Sequence, residues 1–94
     1  MRIRVRMMGV LSKAQGNKEI FLELPDDSTV GTAIKTIISR NEVLKEVLWD
    51  TEVDSPSPNA LIMLNGVEIK NLQGTDTPLM PDQELVLLSV VHGG

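Results

Sequence analysis

Residues 2–7 alternate strictly between arginine and apolar side chains. Because successive side chains of a β-strand point to opposite faces, this period of two predicts a strand with one buried face and one face of arginines. Residues 19–24 repeat the alternation, with glutamates and Phe21 between the apolar positions. An antiparallel hairpin over residues 2–24 would set glutamates against arginines, which stabilises by about 0.2–1 kcal/mol per pair. The hairpin then needs an apolar layer that covers its other face.

A stripe of apolar residues at helical spacing supplies that layer. The stripe recurs at i, i+3, i+4, i+7 and i+8 and consists of Val30, Ala33, Ile34, Ile37 and Ile38. This spacing places them on one face of an α-helix. Asp26 and Asp27 precede the helix and suit the positive end of its dipole, and Ser28 or Thr29 is the predicted N-cap.

A second, shorter helix is predicted over "EVLKEVLW", residues 42–49, with four apolar residues buried. These are Leu44, Val47, Leu48 and Trp49. Residues 50–58 combine acidic side chains, serines and two prolines, which is typical of a loop within a domain.

The C-terminal half predicts three more strands. Asn65-Gly66 separates two short apolar runs and is a strong hairpin signal, because both residues tolerate a positive φ. Residues 73–84 indicate loop and turn. Residues 85–91 are almost continuously apolar, which favours a central strand flanked on both sides.

The order of these elements indicates a topology. If the last strand lies beside the first, the two run parallel, because the intervening helix provides the crossover that parallel strands need. The predicted fold class is therefore α+β: a β-grasp, in which a mixed sheet curves around one main helix.

Composition excludes several classes of function. The chain has 94 residues, of which 41% are hydrophobic and 23% charged, which suits one globular domain. Phe21 and Trp49 are the only aromatic residues, and thirteen acidic against nine basic side chains would repel a phosphate backbone. We therefore expect no direct binding of nucleic acid.

The absence of cysteine limits the kinds of site that the protein can form, and its hydropathy indicates where in the cell it is located. The sequence contains no cysteine, which excludes disulfides, thiolate metal sites and a cysteine nucleophile. No segment approaches the roughly 20 apolar residues of a membrane span, and the N-terminus lacks the apolar core of a signal peptide. A cytoplasmic location without membrane contact is the expectation.

Acidic clusters offer weak candidates for metal binding or catalysis. Residues 50–54 resemble the start of a calcium loop, but Ser55 and Leu61 stand where such a loop needs a glycine and a bidentate glutamate. A solvated acidic loop is the better interpretation. For Asp26 and Asp27, a capping role is favoured over a pair of catalytic carboxylates. We expect neither a metal site nor a catalytic site.

Other side chains suggest contacts with partners. His92 has no nucleophile or second histidine that the sequence places beside it, so a contact residue is favoured over a general base. Phe21, among charges on the outer face, is either an anchor for a protein partner or an isolated surface residue, and both interpretations stay open. Five lysines provide surface charge and could accept an acyl group: Lys13, Lys18, Lys35, Lys45 and Lys70.

The last two residues of the sequence are Gly93 and Gly94. Glycines add nothing to a core, but the absence of Cβ lets a backbone enter a narrow site on another protein. A C-terminal carboxylate can be activated by attack on the α-phosphate of ATP. Residues 91–94 would reach about 13 Å beyond the fold. We therefore divide the chain into a domain, residues 1–91, and a flexible tail, residues 92–94.

The ending "LLSVVHGG" resembles that of the ubiquitin-related modifier family, in the ubiquitin-like superfamily of sulfur carriers and modifiers. "STVGTAI" and "TPLMPDQELVLL" are also similar to segments of archaeal small modifiers and of the small subunit of molybdopterin synthase. Val90-Val91 replaces the proline pair of molybdopterin-type members. "VEIKNL" replaces a tryptophan-bearing stretch of eukaryotic modifiers. The resemblance therefore favours an archaeal relative.

The resemblance implies a carrier rather than an enzyme, with no bound cofactor. A separate E1-like enzyme would use ATP to adenylate the carboxylate of Gly94. A sulfurtransferase would then supply the sulfur of a thiocarboxylate for tRNA thiolation. In a competing branch, the activated carboxylate forms an isopeptide bond with lysines of target proteins.

The resemblance also assigns roles to residues near the end of the chain. His92 and Gly93 would be recognised with the tail, and Phe21 and Val91 would lie on the face that docks the activating enzyme. Two alternatives remain. One is the small subunit of molybdopterin synthase, which carries sulfur for the molybdenum or tungsten cofactor. The other is a β-grasp interaction module that is never conjugated.

Overall fold

A computed structural model describes residues 1–9 and 19–89 of the chain. The predicted tail, residues 92–94, lies outside the described residues. The helices and strands follow in the order β1 (Arg2–Met8), β2 (Glu19–Glu23), α1 (Val30–Ser39), α2 (Glu42–Leu48), β3 (Trp49–Asp50), β4 (Ser55–Pro56), β5 (Ala60–Leu64), β6 (Val67–Glu68) and β7 (Glu84–Ser89). Two short 3-10 helices, Ile69–Asn71 and Gly74–Asp76, interrupt the segment between β6 and β7.

The main sheet has the strand order β2-β1-β7-β5-β6. β1 pairs antiparallel with β2 and parallel with β7, and β7 pairs antiparallel with β5 on its other side. The predicted hairpin, the parallel pairing of first and last strands and the central position of the last strand are all confirmed. The β5–β6 hairpin turns at Asn65 and Gly66, whose φ angles of 47° and 83° explain the Asn-Gly sequence.

Helix α1 begins with a capping box that resolves the choice between two predicted caps. Thr29 is the N-cap: its Oγ1 accepts from the Thr32 backbone N–H at 3.3 Å, and the Thr32 hydroxyl accepts from the Thr29 N–H at 3.4 Å. Ser28 is buried instead, and its carbonyl accepts from the Leu79 N–H at 3.0 Å. Thr29 also forms a β-bridge with Pro78, which ties the start of the helix to the segment before β7.

The predicted dipole role of Asp26 and Asp27 is wrong. The helix starts at Val30, and neither carboxylate lies in its first turn, where charges act on the dipole. The Asp26 carboxylate instead lies 3.2 Å from the amino group of Met1.

The core lies between α1 and the inner face of the sheet. All five residues of the predicted stripe are buried, with at most 8% exposure. In α2, Leu44 and Leu48 are fully buried, and Asn41 caps the helix by accepting from two backbone N–H groups. Trp49 is also buried, but Val47, which was predicted to be buried, is half-buried.

Residues 49–56 form a small hairpin, where a loop was predicted over residues 50–58. Trp49 pairs with Pro56 and Asp50 with Ser55. Asp50 accepts from the Glu52 N–H at 3.0 Å, and Asp54, with φ 49°, accepts from the indole N–H of Trp49 at 3.2 Å. Strands of two residues are too short for any periodicity to reveal them.

Adjacent residues of α2 provide a test of the core. We expect Leu44→Ala to lower the free energy of unfolding by about 2–5 kcal/mol, because it opens a cavity among fully buried side chains. Val43 is 54% exposed, so Val43→Ala serves as the matched control and should change it by no more than about 0.5 kcal/mol. Urea denaturation measures both. Equal losses would contradict the assigned inward face of α2.

Adjacent methionines of β1 provide a test of the alternation in that strand. Met7 is 2% exposed and Met8 is 44% exposed. Dilute hydrogen peroxide should therefore oxidise Met8 well before Met7 in the folded protein, because the oxidant reaches the exposed thioether first. Fragmentation of the peptide that carries both residues distinguishes the two sulfoxides by mass. In urea the rates should become equal, and protection of Met8 in the folded protein would contradict its outward orientation.

Candidate functional site

The sheet presents a second face, here called the outer face, whose side chains alternate with the core positions of its strands. The pairing register arranges these side chains in rows that run across the strands. The first row is Phe21, Arg4 and Glu84; the second is Glu19, Arg6, Val86 and Met63; the third is Met8, Leu88 and Leu61. The rows change from charged to apolar toward the C-terminal end of β7.

The charged end of the outer face is held by pairs within the chain. Arg2 faces Glu23 across the hairpin, with 3.8 Å between its Nε and the carboxylate, and Arg4 contacts Glu84 at 3.2 Å. The predicted opposition of arginines and glutamates is therefore confirmed. Exposed pairs of this kind each contribute at most about 1 kcal/mol to stability.

Phe21 lies on the edge strand β2 and is 52% exposed. The Arg2 guanidinium carbon lies 4.3 Å from the centre of its ring, a cation–π contact. Phe21 therefore has a partner inside the chain. Its role as an anchor for another protein stays a prediction.

The third row is an apolar surface beside the end of the last strand. Met8 is 44% exposed, and Leu88 and Leu61 are half-buried. Leu88 is followed only by Ser89 in β7, so this row lies at the C-terminal end of the strand. Gly9, with φ 64°, follows Met8, and a Cβ there would lie 3.4 Å from Leu88.

The sequence did not reveal this apolar surface. Outward Leu61 and Met63 alternate with inward Ile62 and Leu64, so β5 reads as one apolar run. Period two identifies a face only where the two faces differ in polarity. The outward position of Leu88 became evident only from the register of β7 with β1.

Of the predicted site residues, the structure places Phe21 alone. Val91, His92, Gly93 and Gly94 lie outside the described residues. Among the candidate acceptor lysines, Lys13 and Lys18 also lie outside, Lys70 is exposed and Lys45 is half-buried.

Lys35 differs from the other described lysines because it contacts two side chains. Its ammonium lies 3.9 Å from the Asp54 carboxylate and 5.6 Å from the centre of the Trp49 ring. These contacts hold the lysine between α1 and the β3–β4 hairpin.

A small apolar cavity lies apart from the outer face. It measures about 230 Å³ and is lined by residues that include Pro58, Ala60, Ile62 and Ile69. Pockets for small molecules usually measure about 300–1,000 Å³. Among the residues that the sequence suggested as sites or acceptors, Lys70 lines this cavity. Within residues 1–9 and 19–89, no cluster of histidine and acidic side chains could hold a metal ion. In the same residues, no helix has the length and apolar character of a membrane span.

Comparisons with known proteins agree with this fold. No family model matches the chain. Small archaeal modifier protein 3 of Haloferax volcanii is 26% identical over 95 residues, and the alignment covers 100% of both chains.

Three solved structures share the architecture. Small archaeal modifier protein 1 of Haloferax volcanii has a TM-score of 0.87 at 17% identity, with 100% of both chains covered. Urm1 of Trypanosoma brucei has a TM-score of 0.81 at 16% identity, over 99% of this chain and 95% of that one.

The third structure is a complex of a similar chain with another protein. The BexX/CysO complex of Amycolatopsis orientalis matches with a TM-score of 0.76 at 22% identity, over 98% of this chain and 99% of that one. Likeness at these identities establishes the fold. That fold is the ubiquitin-like β-grasp, and along its whole length the chain is similar in sequence to an archaeal small modifier.

Proposed function

We propose that this protein is a sulfur carrier and protein modifier whose reactive group is the carboxylate of Gly94. The observation that carries the proposal is the match to small archaeal modifier protein 3 over the whole of both chains. The Gly93-Gly94 ending supports it, because two residues without Cβ allow close approach to the backbone in a narrow active site.

The first step of the proposed chemistry is adenylation. A carboxylate oxygen of Gly94 attacks the α-phosphate of ATP, so that an acyl-adenylate forms and pyrophosphate leaves. A separate E1-like enzyme binds the ATP and catalyses this step.

The second step divides into two branches. In sulfur transfer, the terminal sulfur of a persulfide on a sulfurtransferase attacks the acyl carbon and displaces AMP. A thiol then reduces the resulting acyl disulfide and leaves a thiocarboxylate on Gly94, which serves as the sulfur donor for tRNA thiolation. In conjugation, the ε-amine of a target lysine attacks the activated acyl group and forms an isopeptide bond.

The outer face supports docking of the activating enzyme. Met8, Leu88 and Leu61 form an apolar row beside the end of β7, so an enzyme that draws in the tail would contact this row as well. Phe21 and Val91 belong to the same proposed contact. CysO, a chain of this fold, forms a complex with BexX, which supports the idea that such a fold docks on another protein.

The test of the proposal is deletion of Gly94. With the activating enzyme, ATP and a sulfur source, the full chain should gain the mass of an adenylate and then exchange one oxygen for sulfur at its C-terminus. The chain that lacks Gly94 should do neither. Only one glycine then separates the terminal carboxylate from His92, whose side chain would hinder entry into a narrow active site. Intact mass spectrometry measures both products, and the two melting temperatures should agree, since the tail adds nothing to the core.

His92→Ala is the matched control for the deletion, because it alters the tail and keeps both glycines. This variant should still be adenylated, with a higher KM if His92 is recognised with the tail. An unmodified full chain would contradict the proposal. A Gly94 deletion that also unfolds the protein would contradict the division into domain and tail. Stable co-purification with a molybdopterin-synthase large subunit would favour the molybdenum or tungsten branch instead.

A further inference from the structure

The outer face carries three arginines in different situations. Arg2 and Arg4 each lie within 4 Å of a carboxylate, and Arg2 also covers the ring of Phe21. Arg6 is exposed, and no carboxylate of residues 1–9 and 19–89 lies within ion-pair distance of its guanidinium. Glu19 is its register neighbour on β2 and still does not form the pair.

Arg6 also has a distinctive position between the two ends of the outer face. It lies in the second row, next to Val86, and the apolar row of Met8 and Leu88 follows directly toward the end of β7. Arg4, in the preceding row, already forms an ion pair with Glu84. Among the cations that the described residues place on the outer face, Arg6 is therefore the one nearest to the apolar row and to the C-terminal end of β7.

An arginine next to exposed apolar side chains has the composition of an interface. Arginine and methionine are enriched in protein–protein interfaces, and the guanidinium presents five donors that match a carboxylate in bidentate geometry. The chain as a whole carries a net charge of −4, so general attraction to an acidic surface does not explain a contact here. A local carboxylate on the partner, beside an apolar patch, complements this arrangement.

We propose that Arg6 is the specificity-determining contact of the outer face and binds a carboxylate on the enzyme that activates Gly94. This inference rests on the proposed function and adds the chemistry of the partner surface: an apolar patch that receives Met8, Leu88 and Leu61, bordered by an acidic side chain. Arg2 and Arg4 stabilise the outer face itself and contribute little to recognition.

The experiment compares Arg6→Gln with Arg2→Gln in adenylation by the activating enzyme, followed as release of pyrophosphate. Both variants remove one charge from the same strand. Arg6→Gln should raise the KM for the carrier about tenfold and leave kcat unchanged, because a hydrogen-bonded charge pair is lost from docking and not from chemistry. Arg2→Gln should raise KM less than about twofold.

Two further measurements separate a specific contact from general charge. Added salt should raise the KM of the wild-type chain, and this dependence should be weaker in Arg6→Gln. Arg6→Lys should give an intermediate KM, because it keeps the charge and loses the planar fork. Melting temperatures of the Arg6 variants should match that of the wild type, which excludes a merely structural role.

Several results would overturn the assignment. An Arg6→Gln variant with the wild-type KM, or equal effects of Arg6→Gln and Arg2→Gln, would do so. Light scattering that reveals a wild-type dimer dissociated by Arg6→Gln would assign the face to a second copy of this chain. If the wild-type chain is not adenylated, the proposed function fails and takes this inference with it. Normal adenylation of every variant removes only the role of Arg6.

Discussion

The parallel pairing of β1 with β7 is the constraint on which the rest of the structure depends. It joins the first and last strands in the middle of the sheet, and parallel neighbours require a crossover that packs on the sheet. Helix α1 meets that requirement and buries its apolar stripe against both strands. The same pairing brings Met8 beside Leu88, so the apolar row at the end of β7 combines residues from the first and the last strand.

The register of that pairing also determines the chemistry of the outer face. Arg4 faces Glu84, Arg6 faces Val86 and Met8 faces Leu88. A shift by one residue would reverse the faces, because side chains alternate along a strand, and would bring arginines into the core. Burial of Val5 and Leu85 at full depth therefore fixes the outward rows as firmly as it fixes the core.

Sequence patterns predicted the elements whose two faces differ in polarity. Strand β1, with its arginines, and helix α1, with its stripe, are of this kind. The Asn65-Gly66 turn was predictable because these two residue types tolerate a positive φ. The outward orientation of Leu61, Met63 and Leu88 could not be predicted. Their inward neighbours are also apolar, so the sequence shows no alternation of polarity there. The partner of Asp26 is the amino group of Met1, 25 residues away in the sequence, a separation that local pattern does not report.

The candidate site therefore has two parts. The register of the sheet fixes the apolar row, whereas among the described residues no carboxylate pairs with Arg6. On the proposed function, the carrier must leave its activating enzyme in order to reach a sulfur acceptor or a target lysine. Affinity differences between related complexes lie mainly in the dissociation rate, so a large apolar interface would slow every turnover. A short apolar row bordered by Arg6, the one outer-face arginine without a carboxylate partner among the described residues, avoids this, because a charge at the rim acts mainly on the rate of encounter. Arg2 and Arg4 are paired with carboxylates of the chain itself. This pairing limits how strongly the outer face can bind any partner, which also favours rapid release.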